Sequence, residues 1–281
     1  MDRIRKALDL ARAERIKLHS EAGAAEVGVI PPPFEAKPEL AAVAPLSKMI
    51  RYTKTRTYLP RPDALESHRI VDPRHNDLAA SAFRMLRTQV LQRMDERGWR
   101  SIAILSPNAN DGKTTTAINL AVNLAYDNRH TVLLVDCDLR QPAIASSLDL
   151  TPEFGLNDVL NGDAKIDQCL YHPEGYDRLV VLPARTALAN SSEALSGVRG
   201  RDLVADLRER YPERIVIFDL PPLLGADDAL AFLPLVECGL MVVSERMTRR
   251  EDLLRCMELT GRTPILGTVL NRSSGAPSPY G

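Results

Sequence analysis

Cysteine is scarce and scattered in this 281-residue chain: Cys137, Cys169, Cys238 and Cys256 form no Cys-x-x-Cys pair, and the histidines do not cluster. That argues against a zinc site and against a disulfide framework, leaving the thiols as reduced members of a core. Long apolar runs are missing as well. No segment reaches the roughly 18 uncharged apolar residues of a membrane span, and the N-terminus lacks the apolar stretch of a signal peptide, so a cytoplasmic protein is expected. Nor is there an excess of one charge: 36 basic and 37 acidic side chains leave a formal net charge of -1. That balance argues against a nucleic-acid-binding surface over the whole molecule. Hydrophobic residues at 44% and charged residues at 26% argue against wholesale disorder. The length suffices for one large domain with appendages, and no internal repeat is visible.

What is present divides the chain into four parts. Residues 1–20, "MDRIRKALDLARAERIKLHS", set Ile4, Leu8, Ala11 and Leu18 at helical spacing among mostly basic side chains. An amphipathic helix is expected there, either a solvated arm or a docking element for a partner or an anionic membrane surface. Residues 21–75 read as a Pro-rich and basic linker. "GVIPPPFEAKP" has polyproline character, and "KMIRYTKTRTYLPRP" carries Lys48, Arg51, Lys54, Arg56 and Arg61 with no acid among them, as a solvated face or a membrane or partner contact. Residues 76–272 alternate helices with the apolar strands "RSIAILS", "TVLLVDC", "RIVIFDL", "CGLMVVS" and "ILGTVLN", the pattern of a parallel sheet covered on both faces. A long helix, "DLAASAFRMLRTQVLQRMDERG", precedes the first of these strands and is expected to stop at Gly98. Residues 273–281 form a Gly-, Pro- and Ser-rich tail that contains Tyr280.

Chemistry concentrates at three places in the third part. "SPNANDGKTTT", residues 106–116, follows a strand and opens a helix at Lys113, the context in which backbone N–H groups and the helix dipole face phosphates. Lys113 would reach the β and γ phosphates and the Thr114 hydroxyl would ligate Mg²⁺. The glycine expected five residues before Gly112 is replaced by Pro107, but Asn110 tolerates a left-handed turn. Asp111 brings a carboxylate near the phosphates or caps the helix start. "VLLVDCDLR" then sets Asp136 and Asp138 two apart at a strand end beside Arg140, a costly pair unless a cation lies between them. Asp219 ends "RIVIFDL" before Pro221 and Pro222, in the manner of a Walker B acid.

These segments, with "GLNDVLNG" after the paired acids, resemble the Walker A, Walker A′, Walker B and final-strand elements of bacterial tyrosine kinases of capsular and exopolysaccharide biosynthesis. The resemblance spans about residues 76–272, and the short N-terminus is similar to that of the exosortase-linked variant. It implies a SIMIBI-type P-loop NTPase fold, a three-layer α/β sandwich with a mostly parallel sheet and a helical and linker extension before it. Also implied are ATP and Mg²⁺ as cofactors, transfer of the γ phosphate to a C-terminal tyrosine, and activation by a membrane chain-length determinant at the inner face of the plasma membrane. Residue by residue, it places Asn110, Asp111, Gly112, Lys113, Thr114, Thr115 and Arg140 around the nucleotide, with Asn271 and Arg272 near the adenine. Thr114, Asp136, Asp138 and Asp219 would organise the metal, and Asp136 would be the base for the acceptor hydroxyl.

Two features depart from that pattern. The tail has one tyrosine, Tyr280, where the family has a cluster, and the Glu-x-x-Arg-x-x-Arg of ring assembly reads Ser81, Arg84, Arg87. The alternatives are a Min- or Par-type ATPase switch, against which Asn108 stands where those proteins carry a second lysine, and a non-catalytic assembly protein on the same fold.

Overall fold

The computed structural model describes residues 55–273 apart from 128, 210–212 and 262. The amphipathic helix expected over 1–20, the linker up to residue 54 and Tyr280 therefore lie outside the described residues.

Strands β1 (Arg56–Tyr58), β2 (Ser101–Leu105), β3 (Thr131–Asp136), β4 (Tyr171–Pro173), β5 (Leu179–Leu182), β6 (Arg214–Asp219), β7 (Cys238–Ser244) and β8 (Ile265–Asn271) form one sheet. Their order is β1-β4-β5-β3-β6-β2-β7-β8, and every pairing is parallel except β4 with β5. The strands from β5 to β8 therefore present their carboxyl ends along one edge. The alternation of side chains sorts the sheet into two cores. Ala103, Leu105, Leu133, Val135, Val216 and Phe218 pack on one face, and Ile102, Ile104, Val132, Leu134, Ile215 and Ile217 on the other. Double coverage is why these strands read as unbroken apolar runs. "ILGTVLN" is the exception, because β8 closes the sheet as an edge strand and leaves Leu270 56% exposed. Its apolar run suggested burial that the edge does not supply.

Helices α1 (Pro62–Ser67), α2 (Leu78–Arg97) and α3 (Lys113–Ala125) precede and cover the central strands. Asp77 caps α2 by accepting from Ala80 N at 2.7 Å, and Gly98, left-handed at φ 68°, ends it. All four cysteines are buried and unpaired with one another.

The folded unit begins before residue 76, in what was expected to be linker. Strand β1 joins β4, Ile70 is buried, and Asn119 of α3 accepts from Val71 N at 2.7 Å while donating to Arg69 O at 2.9 Å. Arg61 grips Asp149 through two nitrogens at 2.9 and 3.0 Å, and Arg56 pairs with Glu153, so these two basic residues act within the chain. A three-residue strand is too short to show alternation, and Pro62 serves as the first residue of a helix, where its missing N–H costs nothing.

Candidate active site

The loop from Ser106 to Gly112 runs from β2 into α3 at the carboxyl edge of the sheet. Asn110 adopts φ 65° and Gly112 φ 94°, so the turn uses two left-handed residues. At Gly112 a side chain is excluded twice over: by this φ, and because a Cβ would stand 1.9 Å from Nδ2 of Asn271. The Pro107 carbonyl accepts from Leu224 N at 3.2 Å and the Ser106 carbonyl from Leu223 N at 2.9 Å. The segment after β6 thus braces the loop at the position where a glycine is absent.

Three carboxylates meet this loop. Asp136 and Asp219 lie opposite each other at the ends of the neighbouring strands β3 and β6, and both are fully buried. Asp138 lies just beyond β3, and its Oδ2 is 2.7 Å from Nζ of Lys113, which is itself 3.8 Å from Oδ1 of Asp219. The Thr114 hydroxyl donates to Oδ2 of Asp219 at 2.6 Å. Asp136 Oδ2 accepts from Ala143 N and Ile144 N at 3.1 and 3.0 Å, and Asp138 Oδ1 from Gln141 N at 3.1 Å. Lys113, Thr114, Thr115, Asn110, Asp138 and Arg272 are among the residues lining a cavity of about 240 Å³. A larger cavity of about 600 Å³ between α1 and the turn after β4 lies among other residues, away from these acids.

One lysine does not balance three acids. Burial, and next the charge of Asp219, push Asp136 up to about 8. Burial also raises Asp219, although Lys113 and the Thr114 hydroxyl oppose it. Burial acts to lower Lys113, but the Asp219 and Asp138 carboxylates outweigh it and hold the ammonium above its usual value. Oδ1 of Asp136 and Oδ1 of Asp219 are buried with no hydrogen-bond partner. Buried acceptors left open beside a phosphate loop would suit a divalent cation at Asp219 and an incoming proton donor at Asp136. Among the described residues no three His, Cys, Asp or Glu groups form a metal cage of their own.

The raised Asp136 has a consequence for stability. Its folded value exceeds the ordinary 3.8, so the native state keeps a proton that the unfolded chain releases. The stability this contributes is full below about pH 4 and is lost as pH rises through about 8. Thermal melts without Mg²⁺ or nucleotide should show the wild type losing several kcal/mol more than Asp136→Asn between pH 5 and pH 8.5, on the order expected of a shift this large. Parallel losses in the two proteins would contradict this assignment.

Not every residue expected at the site turns toward the cavity. Asp111 is buried and works inward, accepting from Asn108 N at 2.9 Å and from the Thr248 hydroxyl at 2.8 Å, so it shapes the loop. Asn271 donates to the Asp111 carbonyl at 2.9 Å and so also holds the loop, whereas Arg272 does line the cavity. Arg140 leaves it, with Nε 2.6 Å from Asp228 Oδ2 and Nη2 3.5 Å from Asp227. Arg84 is engaged within the chain by the carbonyls of Pro73 and His75 and by Ser81, and Arg87 reaches Asn123 O at 3.4 Å. Thr248 escaped the sequence reading because it belongs to no motif, and Asp228 because its place after the Walker B strand does not reveal what its carboxylate meets.

A phosphate-binding loop at the carboxyl edge of a mostly parallel sheet, with acids on two adjoining strands, defines a P-loop nucleotide-binding α/β protein. The AAA domain family model matches residues 99–237. Tyrosine-protein kinase YwqD of Bacillus subtilis (strain 168) is 30% identical over 196 residues, covering 69% of this chain and 81% of that protein. The chain belongs to the bacterial tyrosine-protein kinase family. It spans about a quarter of several longer curated relatives. Among solved structures, the kinase domain of Escherichia coli tyrosine kinase ETK superposes with TM-score 0.62 at 27% identity, covering 80% of this chain and 93% of that one. The septum site-determining protein MinD complexed with Mg-ADP from Pyrococcus horikoshii OT3 superposes with TM-score 0.51 at 25% identity, covering 64% of this chain and 74% of that one.

Proposed function

We propose that this chain is an ATP-dependent protein-tyrosine kinase that phosphorylates itself at Tyr280 and regulates exopolysaccharide or capsule synthesis, polymerisation and export. The observation that carries the reading is the pair of orphaned oxygens on Asp136 and Asp219, set beside Lys113 and Thr114 on the phosphate loop. Bound with the nucleotide, Mg²⁺ supplies neutralisation of the charge on the phosphates. Asp138 and Asp219 would hold the metal side of the site, and the Thr114 hydroxyl would join them. Lys113, paired with Asp138 and near Asp219 in the free protein, would bind phosphate oxygens instead. Asp136, held by two backbone N–H groups, keeps a proton in the free protein; it would release that proton once Mg²⁺ neutralises the neighbouring acids and would then accept the proton of the acceptor hydroxyl. Tyr280 lies eight residues beyond Arg272 of the cavity wall, and a chain of that length reaches at most about 28 Å.

Activation by a membrane chain-length determinant, with the chain recruited to the inner face of the plasma membrane, completes the proposal. Among the described residues no helix is long and apolar enough to cross a membrane; recruitment through a partner or the basic N-terminal region belongs to this proposal. Incubating the purified chain with Mg-ATP and following both products tests the reading. Phosphotyrosine is the expected product; steady release of inorganic phosphate with no phosphotyrosine would instead assign an ATP-dependent switch.

A further inference from the structure

The Arg140 guanidinium, two residues beyond Asp138, is drawn to Asp228 instead of to the acids. Asp228 is the first residue of α4 (Asp228–Phe232), in the segment that follows the Asp219 strand. Its side chain is fully buried, with both oxygens used: Oδ2 accepts from Arg140 Nε at 2.6 Å and Oδ1 from the Ser191 hydroxyl at 2.5 Å. Asp227 adds a second contact to Arg140, at 3.5 Å, and accepts from the hydroxyl of Ser192, the residue after Ser191, at 3.0 Å. Leu188 N donates to Leu139 O at 2.8 Å and fastens the same turn again. Three loops at the carboxyl edge, those after β3, β5 and β6, therefore converge on one buried carboxylate.

Such a junction has an electrostatic consequence. The turn that carries Asp138 also carries a permanent cation, and a guanidinium released there would compete with a metal ion for the carboxylates. A buried carboxylate bound through Nε fixes the direction of the guanidinium as well as compensating its charge. We infer that Asp228 is a positioning residue that parks Arg140 away from Asp136, Asp138 and Asp219, keeping that cluster available to Mg²⁺. Arg140 thereby acts through its absence from the cavity, where the family resemblance placed it beside the nucleotide. The inference rests on the reading of Asp138 and Asp219 as the residues that organise Mg²⁺.

Equilibrium binding of a fluorescent ATP analogue, titrated with MgCl₂ on the full chain, tests it without recourse to activity. Asp228→Asn keeps the shape and removes the charge, and should raise the Mg²⁺ midpoint about tenfold, the scale of a modest interaction between partly buried charges. Adding Arg140→Gln to that variant should bring the midpoint back to within about twofold of wild type. Ser191→Ala, which loosens only one of the two contacts, should move the midpoint in the same direction by a smaller factor and serves if Asp228→Asn does not fold. An unshifted midpoint in Asp228→Asn or, failing that protein, in Ser191→Ala overturns the inference, as does a double variant as impaired as the single one. Wild-type binding that ignores Mg²⁺ would overturn the underlying reading of the acids instead.

Discussion

Lys113→Met is expected to abolish phosphotyrosine formation, with a loss of at least about a thousandfold, the scale of removing a charged group that stabilises phosphoryl transfer. Methionine matches the length of lysine closely enough to leave the walls of the cavity in place, so the change is one of charge. In the free protein Lys113 compensates Asp138 at 2.7 Å and approaches Asp219 at 3.8 Å. Its removal therefore takes from three buried acids the ammonium that pairs with them, and the variant should also melt lower above neutral pH. Phosphotyrosine blotting and a melt on the same preparation separate the two effects. A variant with wild-type transfer would remove Lys113 from the chemistry.

Asp136→Asn is expected to cost about a hundred- to ten-thousandfold in the transfer rate, the range for loss of a positioned general base. Binding of Mg-ATP should change only a few-fold, because Asp138, Asp219 and Thr114 remain. The split matters more than the size of the loss. A metal ligand and a base both reduce turnover when removed, but loss of the base leaves the occupancy curve for Mg-ATP nearly in place. Asn at 136 can still accept from Ala143 N and Ile144 N through its carbonyl, so the short helix Ile144–Ser147 should stay anchored. A loss of binding in proportion to the loss of rate would make Asp136 a ligand and leave the base unassigned.

Much of the site was legible because its chemistry follows strand ends. "VLLVDCD" and "RIVIFD" each place an acid just where a buried strand emerges, and a parallel sheet brings such ends to one edge. The phosphate loop was legible for the same reason, and the left-handed φ of Asn110 accords with the tolerance of its residue type. Contacts between distant segments were not legible. Nothing in the sequence around Asp111 tells that its carboxylate turns to Thr248, 137 residues away, or that Arg140 turns to Asp228, 88 residues away. The short strands β1, β4 and β5 escaped because three or four residues hold too little pattern, and β8 misled because an apolar run does not reveal whether a further strand follows.

The relation between Arg84 and self-association is of this kind as well. The spacing of Arg84 and Arg87 on α2 is visible in sequence, while the in-chain use of Arg84 by the carbonyls of Pro73 and His75 depends on how the preceding segment folds back. That segment is also tied to α3 through Asn119, so the start of the folded unit and the phosphate-loop helix form one hydrogen-bonded structure.

Mass-spectrometric mapping of the purified chain after incubation with Mg-ATP, with Lys113→Met treated in parallel, tests the kinase assignment most directly. Phosphate on Tyr280 in the wild type and none in the variant is the expected result. ATP consumed without phosphate on any tyrosine would contradict it.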